Sequence, residues 1–254
     1  MIIRKSRREI DQMADAGAIV ARTLDLLREH IRPGVTTGEL DAIAADFIHS
    51  QGGVPTFKGY RGYPASICVS PNDMVVHGIP GRYALAEGDI VSADVGVTLG
   101  GFVADSAHTF PVGDISDEAE SLMRVCEAAL AAGVDQARVG NHVGDISAAV
   151  QRTTEEAGFS VIRQLVGHGV GRSMHEEPQI PNIGQTGRGP KLTEGMTFAI
   201  EPMINQGGPE IYVADDSWSI LTSDGSLSAH FEHTVAVTPD GPRILTAVEA
   251  GLLR

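Results

Sequence analysis

The chain opens on a helical pattern. Ser6 followed by Glu9 has the form of a capping box. Ile10, Met13, Val20, Leu24, Leu27 and Ile31 then recur at helical spacing until Pro33-Gly34 stops the run. Thr36 and Glu39 form a second box, with Leu40, Ile43, Ala44, Phe47 and Ile48 as the apolar stripe and Gly52-Gly53 as the end. The arrangement returns later. Ser116 is placed to cap a helix carrying Leu122, Val125 and Leu130, and a further helix carries Ile146, Val150 and Ala157 and ends near Gly158. Gly34, Gly38, Leu40 and Gly52 match Gly140, Gly144, Ile146 and Gly158 at one constant offset, and Glu39 meets Asp145 at the same offset. Matches sharing one register predict an internal repeat of two helices followed by strands; the alternative is coincidence among abundant glycines.

Strands are expected after each helix pair. Residues 91–97 and 102–110 read as two strands around Leu99-Gly100-Gly101. Residues 196–200 and 232–237 are short apolar-alternating runs, separated by a polar excursion over 205–229. The fold class expected is α+β, with helices on one side of a curved, mostly antiparallel sheet. One catalytic domain would span 1–254, built from similar halves at approximately 5–111 and 112–240, with the chemistry between them.

The totals narrow the function. The formal charge of −14 argues against binding along nucleic acid backbones, although residues 4–8 carry a local run of basic side chains. No apolar stretch is long enough to span a membrane, and the basic N-terminus lacks the apolar segment of a signal peptide. Cys68 and Cys126 form no Cys-x-x-Cys pair, which excludes a thiolate zinc cage and points weakly to a reducing compartment.

The informative residues are acids inside apolar runs. Asp94 lies in Val-Ser-Ala-Asp-Val-Gly-Val and Asp105 in Gly-Phe-Val-Ala-Asp-Ser-Ala. A hairpin turning between Leu99 and Gly100 would set the two directly opposite, with Cβ atoms roughly 5 Å apart, an unfavourable pairing unless a cation lies between. Glu201 ends Met-Thr-Phe-Ala-Ile-Glu-Pro, and Glu232 sits in Ala-His-Phe-Glu-His-Thr-Val-Ala-Val. Acids in such settings are paired or cation-bound. With His168 among glycines, the four carboxylates suit two divalent cations about 3.5 Å apart, of the Mn, Fe, Co or Zn kind. Blander readings stand beside this one. Asp94 alone fits an edge acid, Glu201 a strand end, His77 a turn residue and His175 an ion-pair partner. Cys68 fits a small buried hydrophobe, and Trp218 fits ordinary packing or an apolar pocket wall. His108, His230 and His233 are left as packed or supporting residues.

These strings together resemble type I methionine aminopeptidase. They are His77-Gly78-Ile79-Pro80, Asp94 with Asp105, Gly167 to Arg172, His175-Glu176-Glu177-Pro178, Phe198 to Pro202, and Phe231-Glu232-His233-Thr234. The resemblance covers the chain from the first helix to about Pro242 and implies a pseudo-twofold pita-bread fold. It also implies that Asp94, Asp105, His168, Glu201 and Glu232 ligate two divalent ions (Co, Mn, Fe or Zn), with Asp105 and Glu232 bridging. His77 would position substrate, His175 would hydrogen-bond the carbonyl oxygen, and Glu201 would handle the proton. Tyr60, Tyr63, Cys68 and Trp218 match the surroundings of the methionine side-chain pocket, which Phe57 and Met174 also line. Phe57, Met174, Ala104, Ser106 and His230 depart from a common bacterial pattern; these changes bear on pocket shape and leave the ligand positions intact. The short span from His175 to Glu201 has no room for the insertion of type II enzymes, and the form expected is the minimal bacterial one, without a cysteine-rich extension.

The implied reaction is removal of N-terminal methionine from nascent or short peptides by two-metal hydrolysis, with a small second residue preferred. The implied setting is cytoplasmic, with nascent N-termini and Met-peptides as partners and transient ribosome contact. Stable nucleic acid binding and membrane association are not expected, and a monomer is. The rival enzyme reading is a prolidase, which usually carries a large N-terminal domain. A non-catalytic binding module and a two-metal phosphatase are the rivals from other classes.

Overall fold

A computed structural model describes residues 1–247. The first half of the chain forms α1 (Arg7–His30), α2 (Thr37–Ser50), β1 (Val54–Pro55), β2 (Cys68–Pro71), β3 (Met74–Val76), β4 (Ile90–Leu99) and β5 (Phe102–Pro111). The second forms α3 (Asp117–Asp135), α4 (Val143–Glu156), β6 (Ser160–Val161), β7 (Val166–Gly169), β8 (Glu176–Pro181), β9 (Thr197–Ile200) and β10 (Met203–Asn205). It continues through β11 (Ile211–Val213), β12 (Ile220–Thr222), β13 (Ser228–His230), β14 (His233–Thr238) and β15 (Gly241–Ile244).

The helix starts follow from their caps. The Ser6 hydroxyl accepts from Glu9 N–H while the Glu9 carboxylate accepts from Ser6 N–H, and Thr36 with Glu39 repeats the exchange. Each box satisfies two amides that the helix cannot. Ser116 caps Ala119 N–H at the start of α3. At α4 the Asp145 carboxylate accepts from His142 N–H at 2.7 Å. Helices α2 and α4 are each 14 residues long. The glycines matched in the sequence flank them in the same left-handed conformation: Gly34 and Gly140 at φ 89° and 99°, Gly52 and Gly158 at φ 78° and 86°.

Each helix pair covers its own strands. Leu24, Leu27, Leu40 and Ile48 pack against Val91, Val95, Val97 and Phe110. Leu122, Cys126 and Ile146 pack against Phe198, Ile200, Val235 and Val237. Burying such side chains contributes about 1.5–3 kcal/mol each, which is what holds the helices on the strands. The strands form four antiparallel pieces: β1-β4-β2 with β5 on β4, β15-β14-β9-β7-β8, β13-β10-β6 and β11-β12-β3. The polar excursion over 205–229 is therefore not plain loop. It contains the β11–β12 hairpin, and β12 returns to pair with β3 of the first half. Its strands are three residues long, too short to show a period, and Tyr212 and Val213 of β11 are exposed.

The register of the β4–β5 hairpin corrects the expected one. Asp94 pairs with Ala107 and Asp105 with Gly96, so the two acids are diagonal neighbours, not directly opposed. The reason is the turn. Gly100 and Gly101 both adopt positive φ, 58° and 83°, and Leu99 closes on Phe102. A two-residue turn of this hand matches the twist of the strands, and glycine alone takes both positions without strain. The difference amounts to a two-residue slip, and because side chains alternate with period two, both acids stay on one face.

Candidate metal centre and active site

The two halves meet along β5 and β14. Glu232 N–H donates to the Ala107 carbonyl at 2.9 Å. The Thr234 hydroxyl accepts from Asp105 N–H at 3.0 Å and lies 2.8 Å from the Asp105 carbonyl and 3.0 Å from Asp105 Oδ1. Ser106 Oγ donates to the Glu232 carbonyl. This seam brings acids from both halves into one cleft. Asp94 and Asp105 arrive on β4 and β5. Glu201 and Glu232 extend the next step of the β9–β14 ladder beyond the His233–Ile200 pair, Glu201 just after β9 and Glu232 just before β14.

His168 arrives on β7, where a bulge at His168/Gly169 breaks the ladder with β8; such irregularities re-aim a side chain. Its Nδ1 lies 3.0 Å from the Gly169 carbonyl. Donation there leaves Nε2 as the free lone pair. Nε2 is 3.5 Å from Asp105 Oδ2 and 3.5 Å from Glu201 Oε1.

Ligand atoms of Asp105, His168 and Glu232 lie within 4.8 Å of one another. Asp105 is 1% and Glu232 3% exposed. Asp94 Oδ1 is buried with no hydrogen-bond partner. Loss of hydration raises all four carboxyls above the ordinary range. Mutual repulsion adds to the rise at Asp94, Glu201 and Glu232, whereas at Asp105 the neighbouring His168 opposes it. Buried acids this close are unfavourable in isolation, and the physical complement of the cluster is a cation.

The cluster opens into a cavity of about 280 Å³. Its wall includes Asp94, Asp105, His168, Glu201 and Glu232; His77 and His175; and Phe57, Tyr60, Tyr63, Cys68, Met174 and Trp218. His77 is exposed and holds φ 60°, a left-handed conformation of the kind that gathers at functional sites. His175 stacks near Tyr60, with Nδ1 2.8 Å from the phenol oxygen, and its ring centroid is 4.2 Å from that of His168. Desolvation, then repulsion from His168, Arg61 and His77, lowers the His175 pKa to about 4, so the ring is neutral near pH 7.

The apolar wall is Tyr63 edge-on to Trp218 at 5.1 Å, with Phe57, Cys68 and Met174. Trp218 is presented by a tight turn in which the Asp216 carboxylate accepts from Trp218 N–H and Ser219 N–H, both at 2.8 Å. Burial raises the Cys68 thiol well above its usual range, so Cys68 serves as a small apolar group and not as a thiolate. Among the histidines left as packed or supporting residues, His108 lies between Phe110 and Phe231, and His233 Nδ1 meets Thr246 Oγ1 at 2.9 Å. His230 is buried with Nε2 unpartnered.

Sequence reasoning missed Arg61, Val76, Gln164, Leu165, Val166 and Met203 on the cavity wall. Their only signal is adjacency: Arg61 follows Tyr60, Val76 precedes His77, residues 164–166 lead into His168, and Met203 follows Glu201-Pro202. Thr234, beside Glu232 and His233 in the sequence, holds Asp105 through its hydroxyl.

Residues 11–239 match metallopeptidase family M24. The chain belongs to this family. Within it, the chain falls among the type I methionine aminopeptidases. It is 53% identical over 249 residues to a methionine aminopeptidase of Clostridium perfringens, covering 98% of this chain and 100% of that one. The crystal structure of methionine aminopeptidase from Rickettsia prowazekii superposes with a TM-score of 0.96 at 41% identity, over 97% of this chain and 100% of that one. The Thermotoga maritima enzyme gives 0.96 at 43% identity, over 98% and 100%. The chain is thus a metallo-exopeptidase that removes N-terminal methionine by hydrolysis, with Asp105, His168 and Glu232 as its compact group of potential ligands.

Proposed function

We propose that Asp94, Asp105, His168, Glu201 and Glu232 would hold two divalent cations, Co, Mn, Fe or Zn. The single observation that carries this reading is the convergence of four desolvated carboxyls in which Asp94 Oδ1 has no partner of its own. One ion on the Asp105–His168–Glu232 group accounts for those three ligands; a second would give Asp94 Oδ1 a partner. The donor set, oxygens with one imidazole nitrogen, suits these metals. Bound there, the ions would supply Lewis acidity toward water and the scissile carbonyl.

The remaining chemistry falls to side chains of the cavity. Glu201 takes the proton from attacking water and returns it to the leaving nitrogen. With the Tyr60 hydroxyl donating to His175 Nδ1, the ring proton sits on Nε2, and the neutral ring donates a hydrogen bond from there to the carbonyl oxygen as charge develops. His77, at the mouth, steers the peptide backbone. Phe57, Tyr63, Cys68, Met174 and Trp218 form the slot for a flexible thioether. A second residue of small size reaches the cluster without meeting these walls.

The substrates proposed are nascent protein N-termini and Met-peptides, met in the cytoplasm by a monomer in brief contact with ribosomes. Two free, buried cysteines support a reducing setting. The net charge of −14 disfavours stable nucleic acid binding. No helix among the described residues is long and apolar enough to cross a membrane. The domain reading is proposed as one catalytic unit whose two halves repeat the helix pair.

The test is hydrolysis of Met-Ala-Ser against Ala-Pro peptides after stripping metal and adding back single ions. Metal-dependent release of methionine, falling as the second residue grows, is expected. Equal turnover in stripped protein overturns the reading.

A further inference from the structure

A lysine is buried at the edge of the molecule, away from the acid cluster. Lys5 is 6% exposed although Arg4 and Ser6 beside it are exposed. The basic run over residues 4–8 is therefore not a uniform surface patch. Lys5 N–H donates to the Gly195 carbonyl at 2.6 Å, which lays the N-terminal segment against the second half. Its ammonium meets Glu176 Oε2 at 2.6 Å, with the two side chains 3% and 7% exposed. The other carboxylate oxygen, Oε1, accepts from Arg172 N–H at 2.8 Å and Ser173 N–H at 3.2 Å. Gly171 makes this possible: a Cβ there would strike Lys5 Cε and lie 2.6 Å from Nζ.

Residues 171–175 form neither helix nor strand. Beyond the contacts of the Arg172 side chain with Glu9 and Phe102 and of the His175 ring with Tyr60, few bonds define their course. Gly171 N–H donates to the Ser173 carbonyl at 3.2 Å, Gly171 O accepts from Val103 N–H at 2.7 Å, and Glu176 Oε1 holds the next two amides. The segment ends on Met174 and His175, both in the cavity wall. We propose that Glu176 is a positioning residue for catalysis: Lys5 balances the buried charge of its carboxylate, and the second carboxylate oxygen sets the turn that aims His175 and seats Met174.

This rests on the role given above to His175. Physical reasoning separates positioning from plain stability. Removing one member of a buried pair leaves an uncompensated charge and destabilises strongly, whereas replacing both with apolar groups is often neutral. The amide acceptor on Glu176 can then be kept or removed independently of the charge.

The experiment compares Lys5→Met/Glu176→Gln with Lys5→Met/Glu176→Leu in the full chain, using Met-Ala-Ser hydrolysis at saturating Mn²⁺, with His175→Ala as reference. The glutamine retains an oxygen for the Arg172 and Ser173 amides and the leucine does not. The expected result is similar Mn²⁺ binding in both, kcat within about threefold of the unaltered enzyme for the first, and a loss of about 10- to 100-fold for the second. Equal kcat in the two, with His175→Ala slow, overturns the inference and leaves the His175 assignment standing. Full kcat in His175→Ala defeats that assignment itself. Hydrogen exchange in the unaltered protein gives an independent reading, whether or not the leucine variant folds. The expected result is slow exchange at the Arg172 and Ser173 amides despite their exposed side chains, and rapid exchange at both refutes the device.

Discussion

Thr234 offers the sharpest test of how the seam is held. Its side chain is fully buried, and its hydroxyl is the only polar group bonded to both the backbone N–H and the carboxylate of Asp105 among the described residues. Thr234→Val keeps the branched shape and removes the oxygen. Asp105 N–H then loses its acceptor in a position 1% exposed, at a cost of about 1–3 kcal/mol. The lost bond to the carboxylate brings the total to about 3 kcal/mol. For a domain of this size that is a fall in Tm of roughly 6–12 °C. Thr234→Ser, which keeps the hydroxyl and loses a methyl, costs about 1 kcal/mol and so roughly 2–4 °C. Because the hydroxyl also orients a metal-binding carboxylate, the valine variant should bind Mn²⁺ about 10- to 100-fold more weakly. Calorimetric melting and Mn²⁺ titration read both effects. A valine variant that melts with the serine variant and binds Mn²⁺ as the unaltered protein does would refute this account of Asp105.

The other predictions address the chemistry. Glu201→Gln, assayed with metal loaded, should lower kcat by about 100-fold or more while leaving the fold intact, and full activity would remove Glu201 as the proton carrier. Tyr60→Phe keeps the aromatic wall and deletes the bond to His175; kcat should fall about tenfold with KM nearly unchanged, and ¹⁵N chemical shifts should show the His175 proton redistributed between its nitrogens. An unchanged tautomer in Tyr60→Phe would contradict that role. Removal of metal has a pH signature. The carboxyls of Asp94, Asp105, Glu201 and Glu232 are raised in the metal-free fold, so that fold binds more protons than the unfolded chain. Its stability is greatest below the ordinary carboxylate range and is lost as pH rises above that range. The gain in Tm on adding Mn²⁺ should therefore grow from pH 5 to pH 8, and a gain independent of pH would count against the cluster.

Much of the fold and of the site is legible in the sequence. Local signals written in a few neighbouring residues survived: the boxes at Ser6–Glu9 and Thr36–Glu39, the Ser116 cap, and the flanking glycines of α2 and α4. The acids were found because a carboxylate inside an apolar strand has few explanations. The β4–β5 register was misjudged because it depends on the conformation of Gly100 and Gly101 and not on strand composition. That the face nonetheless came out right follows from the period of two. The strands of 205–229 escaped because β11 and β12 are short and owe their pairing to β3, far away in the chain. The grip of Thr234 on Asp105 and of Lys5 on Glu176 joins residues more than a hundred positions apart, and no local pattern encodes such contacts.

Mn²⁺ titration into metal-stripped protein by calorimetry, followed beside methionine release, tests most directly whether the acids from both halves form one cation site. Uptake of about two equivalents is expected, with Asp94→Asn binding less and Asp105→Asn binding least, and with hydrolysis tracking occupancy. Unaltered protein that takes up no Mn²⁺ yet releases methionine, or an Asp105→Asn variant that binds as well as its parent, would contradict it.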